Sequence, residues 1–169
     1  IKIAKKFGAN VPFVRPKYLS NDKAKSIDVI IHALNRINKN KKYKYILLLQ
    51  PTSPLRITRD IDNIIEKFFK RKSKVILSVK KMKHPSSWVL NINKNFKIIN
   101  YKNLLNTKNR QEYSLSYIPN GAMYFAEINY LLKYKSFYTP SSTIYEMPYH
   151  RSVDIDELID FKIAEFLMK

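Results

Sequence analysis

The sequence predicts a three-layer α/β domain built on a mostly parallel sheet. Two apolar runs, Tyr45 to Leu49 and Val75 to Val79, are too short to stand as helices and read as strands buried on both faces, the kind found inside parallel sheets. The segments around them carry apolar residues at three- and four-residue steps, the signature of amphipathic helices. Strand and helix therefore alternate, which is the rhythm of a doubly wound sheet with right-handed crossovers.

Taken in order, Ile1 to Phe7 followed by Gly8 reads as the end of a helix with its glycine cap, which implies that the sequence begins inside a fold. Val11 to Val14 reads as a short strand, and residues 15–22 as the loop leaving it. In the next helix Ile27, Ile30, Ile31, Leu34 and Ile37 form one stripe, with Asn21 or Asp22 as its cap. A lysine-rich turn, residues 38–42, leads to the Tyr45 strand, and Pro51 and Pro54 stop that strand. A helix from Thr58 buries Ile61, Ile64, Ile65 and Phe68, and the Val75 strand follows. Trp88 to Ile92 and Phe96 to Ile99 flank Asn93-Lys94-Asn95 as a hairpin, and residues 102–112 read as a loop. Gly121 to Ala126 forms a further strand, Ile128 to Lys133 a short helix, Thr143 to Met147 a late strand, and Glu157 to Met168 the closing helix.

Composition narrows the function. The 169 residues are 45% hydrophobic, enough for one domain with a real core. The chain contains no Cys, which excludes disulfides and thiolate metal sites. No apolar run approaches membrane-spanning length and no signal peptide opens the sequence, so a cytoplasmic protein without a membrane partner is expected. A formal net charge of +19 suggests nucleic acid. The lysines are spread among Asn, Ile and Tyr without an aromatic and basic RNA motif, however, which argues against that partner.

Two stretches stand out chemically. Gln50, Thr52 and Ser53 follow a buried strand in a proline-stiffened turn, at the carboxyl edge where open α/β sheets bind ligands. Asp154 and Asp156, at i and i+2 in Ser152-Val153-Asp154-Ile155-Asp156, project to one face in extended backbone, where their repulsion favours a hard cation such as Mg²⁺. Asp156 as a helix cap with Asp154 merely solvated is the competing account.

Leu47-Leu48-Leu49-Gln50-Pro51-Thr52-Ser53-Pro54-Leu55-Arg56 resembles the signature of the acylneuraminate cytidylyltransferases, which make CMP-activated nine-carbon sugars. The likeness continues in Arg15-Pro16 with Leu19, Asp22, Ala24 and Ser26, in Arg110-Gln111, in Asn120-Gly121-Ala122-Met123-Tyr124, and in Ser152 to Asp156. It implies a nucleotide-diphosphosugar-transferase-like (Rossmann-like) three-layer α/β/α fold over residues 1–169, with a dimerisation and sugar-site subregion at about 88–138. It also implies CMP transfer from CTP to the anomeric hydroxyl of a sialic acid or related nonulosonic acid, for surface glycan synthesis, by a homodimer.

By the same resemblance Arg15, Ala24 and Ser26 contact the nucleotide, Asp154 and Asp156 hold Mg²⁺ or Mn²⁺, and Gln50 acts with them in catalysis. Gln50, Arg110, Asn120, Tyr124, Phe137 and Tyr138 receive the sugar, with Arg110 on its carboxylate. Position 20 is Ser where the family's pattern has Ala, a change expected not to matter. His84, near Pro85 and Trp88, is expected to be structural. Family members open with a strand and a glycine- and lysine-rich phosphate loop that has no counterpart here, so a fragment of an enzyme or an inactive dimerising relative is expected. A basic nucleic-acid-binding module is the remaining alternative.

Overall fold

The computed structural model describes residues 1–21, 23–105 and 115–169. Helices α1 (Lys2–Lys6), α2 (Ser26–Ile37), α3 (Thr58–Lys70), α4 (Ile128–Tyr134) and α5 (Leu158–Leu167) accompany strands β1 (Tyr45–Leu49), β2 (Val75–Lys81), β3 (Tyr117–Glu127) and β4 (Ser142–Glu146). The strands form one sheet in the order β1-β3-β2-β4. β3 pairs antiparallel with both β1 and β2, and β2 pairs parallel with β4. β1, β2 and β4 thus share a direction, as expected, and β3 runs against them between β1 and β2.

That insertion moves β1 from the expected interior to the sheet edge, where its central residues are only half-buried. The sequence could not show it, because β3 reaches β1 from more than seventy residues away. Two further expectations change. Val11 to Val14 forms no strand; Val14 is exposed and Phe13 packs edge-on against His32. Helix α2 starts at Ser26 with Lys25 as its N-cap residue, so Asn21 does not cap it. The Asn21 side chain instead accepts from the Lys23 N–H and donates to the Tyr18 carbonyl, and Asp22 lies outside the described residues. The expected hairpin is present as a bridge between Ile92 and Ile98.

The two faces of the sheet carry separate cores, which makes three layers. On one face Ile64 and Phe68 of α3 pack against Ile76, Met123, Phe125, Tyr145 and Met147. On the other, Ile30 of α2 and Leu131 of α4 meet Val75, Ala126 and Phe137. Helix α5 buries only Ala164, and its Leu158, Phe161 and Leu167 are exposed. Among the described residues no helix is long and apolar enough to cross a membrane.

A buried ion pair ties the end of β4 to α3. Asp60 is fully buried and accepts two bonds from Arg151, Nε at 2.9 Å and Nη2 at 3.0 Å, plus the Tyr145 hydroxyl at 3.1 Å and the Ile57 N–H at 3.2 Å. Burial alone would raise the Asp60 carboxyl, but these bonds outweigh it and hold its pKa below the usual carboxylate range. A depressed folded pKa gives stability that is present above the unfolded value of about 3.9 and is lost as pH falls through the folded value. Asp60→Ala, which leaves Arg151 without its partner, should cost about 3 kcal/mol in urea denaturation at pH 7. The gap to wild type should narrow as the pH is lowered below about 4.

Candidate functional site

The site grows from an irregularity in β3. Leu77 pairs with Tyr124 but Val79 pairs with Pro119, so β3 carries extra residues opposite Ser78. Such bulges re-aim backbone beside active sites. Here Ser78 fills the gap: its Oγ accepts the Met123 N–H at 2.8 Å and donates to Asn120 Oδ1 at 2.6 Å. Gly121 follows with φ +75°, a left-handed conformation suited to glycine.

Two segments converge on that glycine. Leu49 pairs with Met123, so the next residue along β1, Gln50, arrives beside Gly121. After β4 the chain crosses the carboxyl edge and the Ile155 N–H bonds the Thr52 carbonyl at 2.9 Å, which brings Asp154 over the same spot. A Cβ on Gly121 would lie 2.7 Å from Gln50 Oε1 and 2.8 Å from Asp154 Oδ2. The absent side chain is what lets Gln50 and Asp154 approach together.

Asp154 is half-buried, and its Oδ1 is buried with no hydrogen-bond partner among the described residues. A carboxylate oxygen withdrawn from water and left unpaired is poised for a cation. Asp156 is exposed, two residues further on. Its N–H, like that of Glu157, bonds Asp160 Oδ2, so Glu157, and not Asp156, is the N-cap residue of α5. Among the described residues no group of three or more His, Asp or Glu gathers around a common point. One unpaired carboxylate oxygen suits Mg²⁺, which keeps several waters and takes substrate phosphate oxygens, better than an ion needing a full protein cage.

Two cavities flank Gln50. One, of about 380 Å³, is lined by Arg15, Ser20, Ala24, Ser26, Leu48 and Gln50 among others, so all three residues expected at the nucleotide meet in one place. Arg15 is held there by Ser20, whose Oγ accepts from Arg15 Nε at 3.1 Å and donates to the Pro16 carbonyl at 2.9 Å. The serine at position 20 is thus in contact with an arginine expected at the nucleotide. The second cavity, of about 310 Å³, shares Ser26, Leu48 and Gln50 and adds Tyr124, Lys135, Phe137 and Tyr138. A larger cavity of about 590 Å³ lies at the opposite edge, by Lys39, Lys44 and Glu127, away from these groups.

The second cavity gathers four of the residues expected at the sugar, each in a different way. Phe137 is buried against Tyr124, ring centroids 5.0 Å apart, while Tyr138 is 62% exposed, so the adjacent aromatics differ in burial although both line the cavity. Burial, and then the neighbouring Tyr138 hydroxyl and Asp154 charge, push the Tyr124 phenol up to about 12. It remains a protonated hydrogen-bond donor at neutral pH.

Asn120 is placed elsewhere. It is 2% exposed and lines neither cavity. Its Oδ1 accepts from Ser78 and from the Ala122 N–H, and its Nδ2 donates to Ser152 Oγ at 2.9 Å. Its amide is occupied in holding β2, β3 and the Asp154 segment together. Arg110 lies outside the described residues. His84 stacks on Trp88 at 5.7 Å between ring centroids, away from Gln50 and Asp154.

Two residues with no expected role at the ligands complete the frame. Arg56 Nη1 donates to the Ala122 carbonyl at 2.7 Å, and Ser53 Oγ to the Asn120 carbonyl at 3.4 Å. Both belong to the motif after β1, so the turn that presents Gln50 also grips the bulge. The motif drew notice for its polarity, but the partners of Ser53 and Arg56 are backbone atoms distant in sequence.

Comparison with known proteins gives consistent likenesses. No family model matches the chain. A pseudaminic acid cytidylyltransferase of Campylobacter jejuni is 29% identical over 171 residues, covering 100% of this chain and 73% of that protein. Post-translational flagellin modification protein B of Campylobacter coli is 30% identical, covering 99% and 72%. An N-acylneuraminate cytidylyltransferase of Escherichia coli is 33% identical, covering 96% of this chain and 38% of that protein. Among solved structures, CMP:2-keto-3-deoxy-manno-octonic acid synthetase complexed with CTP matches with TM-score 0.60 over 99% of this chain and 75% of that one. At 12% identity the last shows the fold alone.

The crowding at Gly121 gives a direct test. Gly121→Ala should destabilise the chain by about 3 kcal/mol in urea denaturation, through the left-handed backbone and the displaced side chains. Gly8→Ala, at φ +80° but with nothing within 4 Å of the added Cβ, should cost only about 1 kcal/mol.

Proposed function

Because the chain belongs to the acylneuraminate cytidylyltransferase family, we propose that it transfers CMP from CTP to the anomeric hydroxyl of a nonulosonic acid, with release of pyrophosphate. The observation that carries this reading is the meeting of two cavities at Gln50, beside a half-buried carboxylate with an unpaired oxygen. One cavity offers a guanidinium and a helix-start hydroxyl suited to a polar base. The other offers a phenol, an amide and aromatic rings suited to a sugar.

In this account Arg15 and Ser26 contact the base, with the Ala24 backbone alongside. Gln50, at the shared wall, orients the sugar hydroxyl toward the α-phosphorus, and the Tyr124 hydroxyl, kept protonated, donates to the sugar. The oxygen–phosphorus bond forms as the bridging bond to the β-phosphate breaks, with loss of the hydroxyl proton. Asp154 and Asp156 would hold Mg²⁺, which supplies charge neutralisation for the phosphates and the leaving pyrophosphate. Most of the rate comes from positioning, since the protein forms no covalent bond. Asn120 supports the site from beneath, and Arg110 meets the sugar carboxylate. The enzyme works as a cytoplasmic homodimer through residues 88–138, where exposed Leu90, Ile92 and Ile99 offer apolar surface to a partner.

The test is pyrophosphate release from CTP with Mg²⁺ and pseudaminic or N-acetylneuraminic acid. Asp154→Asn should lower kcat at least a hundredfold and leave the melting temperature within about 2 °C of wild type, since the exchange is isosteric. Unchanged turnover would remove Asp154 from the chemistry. Ser20→Ala, which frees Arg15, should raise the KM for CTP about fivefold with kcat unchanged, and Ser20→Thr should restore it. An unaltered KM in Ser20→Ala would show that the Arg15–Ser20 bond is incidental.

A further inference from the structure

Among the described residues that line the cavity of Tyr124 and Tyr138, Lys135 is the only charged one. It also occupies a backbone position that does not suit it. Lys135 ends α4 at φ 47° and ψ 37°, with its N–H on the Leu131 carbonyl at 2.7 Å. This left-handed cap is where glycine or asparagine is favoured, because a Cβ there crowds the following carbonyl. Among the described residues Lys135 forms no ion pair, and Lys41 and Lys72 share its left-handed backbone, so the cavity that it lines is what sets it apart.

The loop that follows is built to fix this geometry. Ser136 Oγ accepts the Tyr138 N–H at 2.9 Å, and Ser142 Oγ donates to the Phe137 carbonyl at 2.8 Å. Phe137, buried in the core, anchors the chain between Lys135 and Tyr138. Lys135 thus lies on the wall of the cavity that Gln50 and Tyr124 also line.

We infer that Lys135 is a sugar-binding residue whose ammonium receives the carboxylate of the nonulosonic acid. The inference deepens the function proposed above and rests on it. In such an acid the carboxylate is bonded to the anomeric carbon, so a charge that holds it also places the hydroxyl that reacts. An ammonium is a compact point charge on a flexible stem and complements the two-pronged grip assigned to Arg110. Lys135 is absent from the lining of the Arg15 cavity, so the nucleotide base does not meet it.

The measurement is steady-state kinetics of the full chain and its Lys135→Gly, Lys135→Met and Lys135→Arg variants, with CTP and Mg²⁺ and with pseudaminic or N-acetylneuraminic acid. Lys135→Gly relieves the backbone, so its melting temperature should rise by about 3 °C while its KM for the sugar rises about tenfold and its KM for CTP stays the same. Lys135→Met should show the same KM change without the gain in stability, and Lys135→Arg should recover most of the affinity. The neutral amide of the same sugar should bind wild type and Lys135→Met alike. A Lys135→Gly protein with the wild-type sugar KM would overturn the inference, as would a rise in the CTP KM in place of the sugar KM. A wild-type chain that transfers CMP to neither acid would take away the function on which the inference rests. Transfer with an unaltered sugar KM in the variants would leave that function standing and remove Lys135 alone.

Discussion

The site depends on one hydroxyl. Ser78 lies opposite the extra residues of β3 and satisfies the Met123 N–H and the Asn120 side chain that the bulge withdraws from the ladder. A buried bulge without that partner would leave backbone groups unpaired, at roughly 1–3 kcal/mol each. Asn120 then carries the constraint outward, through Ser152, to the segment that holds Asp154. Arg56 and Ser53 clamp the same backbone from the β1 side. Three strands and two loops are thereby fixed around Gly121 by buried polar contacts, so the groups that face the cavities are held from below and need not hold one another.

That arrangement leaves selected polar groups unspent. Most buried polar atoms in folded proteins find partners. Asn120, Asp60 and Ser78 conform, each with two or more contacts. Asp154 Oδ1 does not, and it lies beside Gln50 at the edge of a sheet where ligands bind. Asp60 and Asp154 differ in how their oxygens are used. Asp60 is saturated by Arg151 and Tyr145, whereas Asp154 is withdrawn from water with an oxygen to spare.

Local pattern made much of this legible. The apolar runs at Tyr45 and Val75 and the stripes of α2 and α3 were readable because strand and helix periodicities are short-range. The motif after β1 and the paired aspartates were conspicuous because rigid turns and acids are unusual in so basic a chain. What could not be read was long-range pairing. The entry of β3 between β1 and β2 depends on contacts across some seventy residues, and Asp60 meets Arg151 across 91. The surroundings of Asn120 were hidden for the same reason. A polar residue in a binding motif looks like a ligand contact until its partners, Ser78 and Ser152, are seen to occupy it. Ser20 was assigned no role because its contact is with the side chain of Arg15, five residues before it.

The two cavities share Ser26, Leu48 and Gln50 and differ in everything else, and this partition has a kinetic meaning. A residue that lines one cavity alone can change the affinity for one ligand while the other binds as before. A residue on the common wall sets the distance and angle between the two ligands, and an error of an ångström there is felt in the reaction itself. The common wall is also the stiffest part of the site, since Leu48 is in the sheet, Gln50 is gripped through its turn by the bulge, and Ser26 opens a helix packed on the core. The outer walls are built differently, from an exposed arginine held by one serine and from a strained helix end. In the function proposed for the chain, rigid elements therefore hold the geometry of transfer, and single side chains at loop positions are left to choose what is transferred and to what.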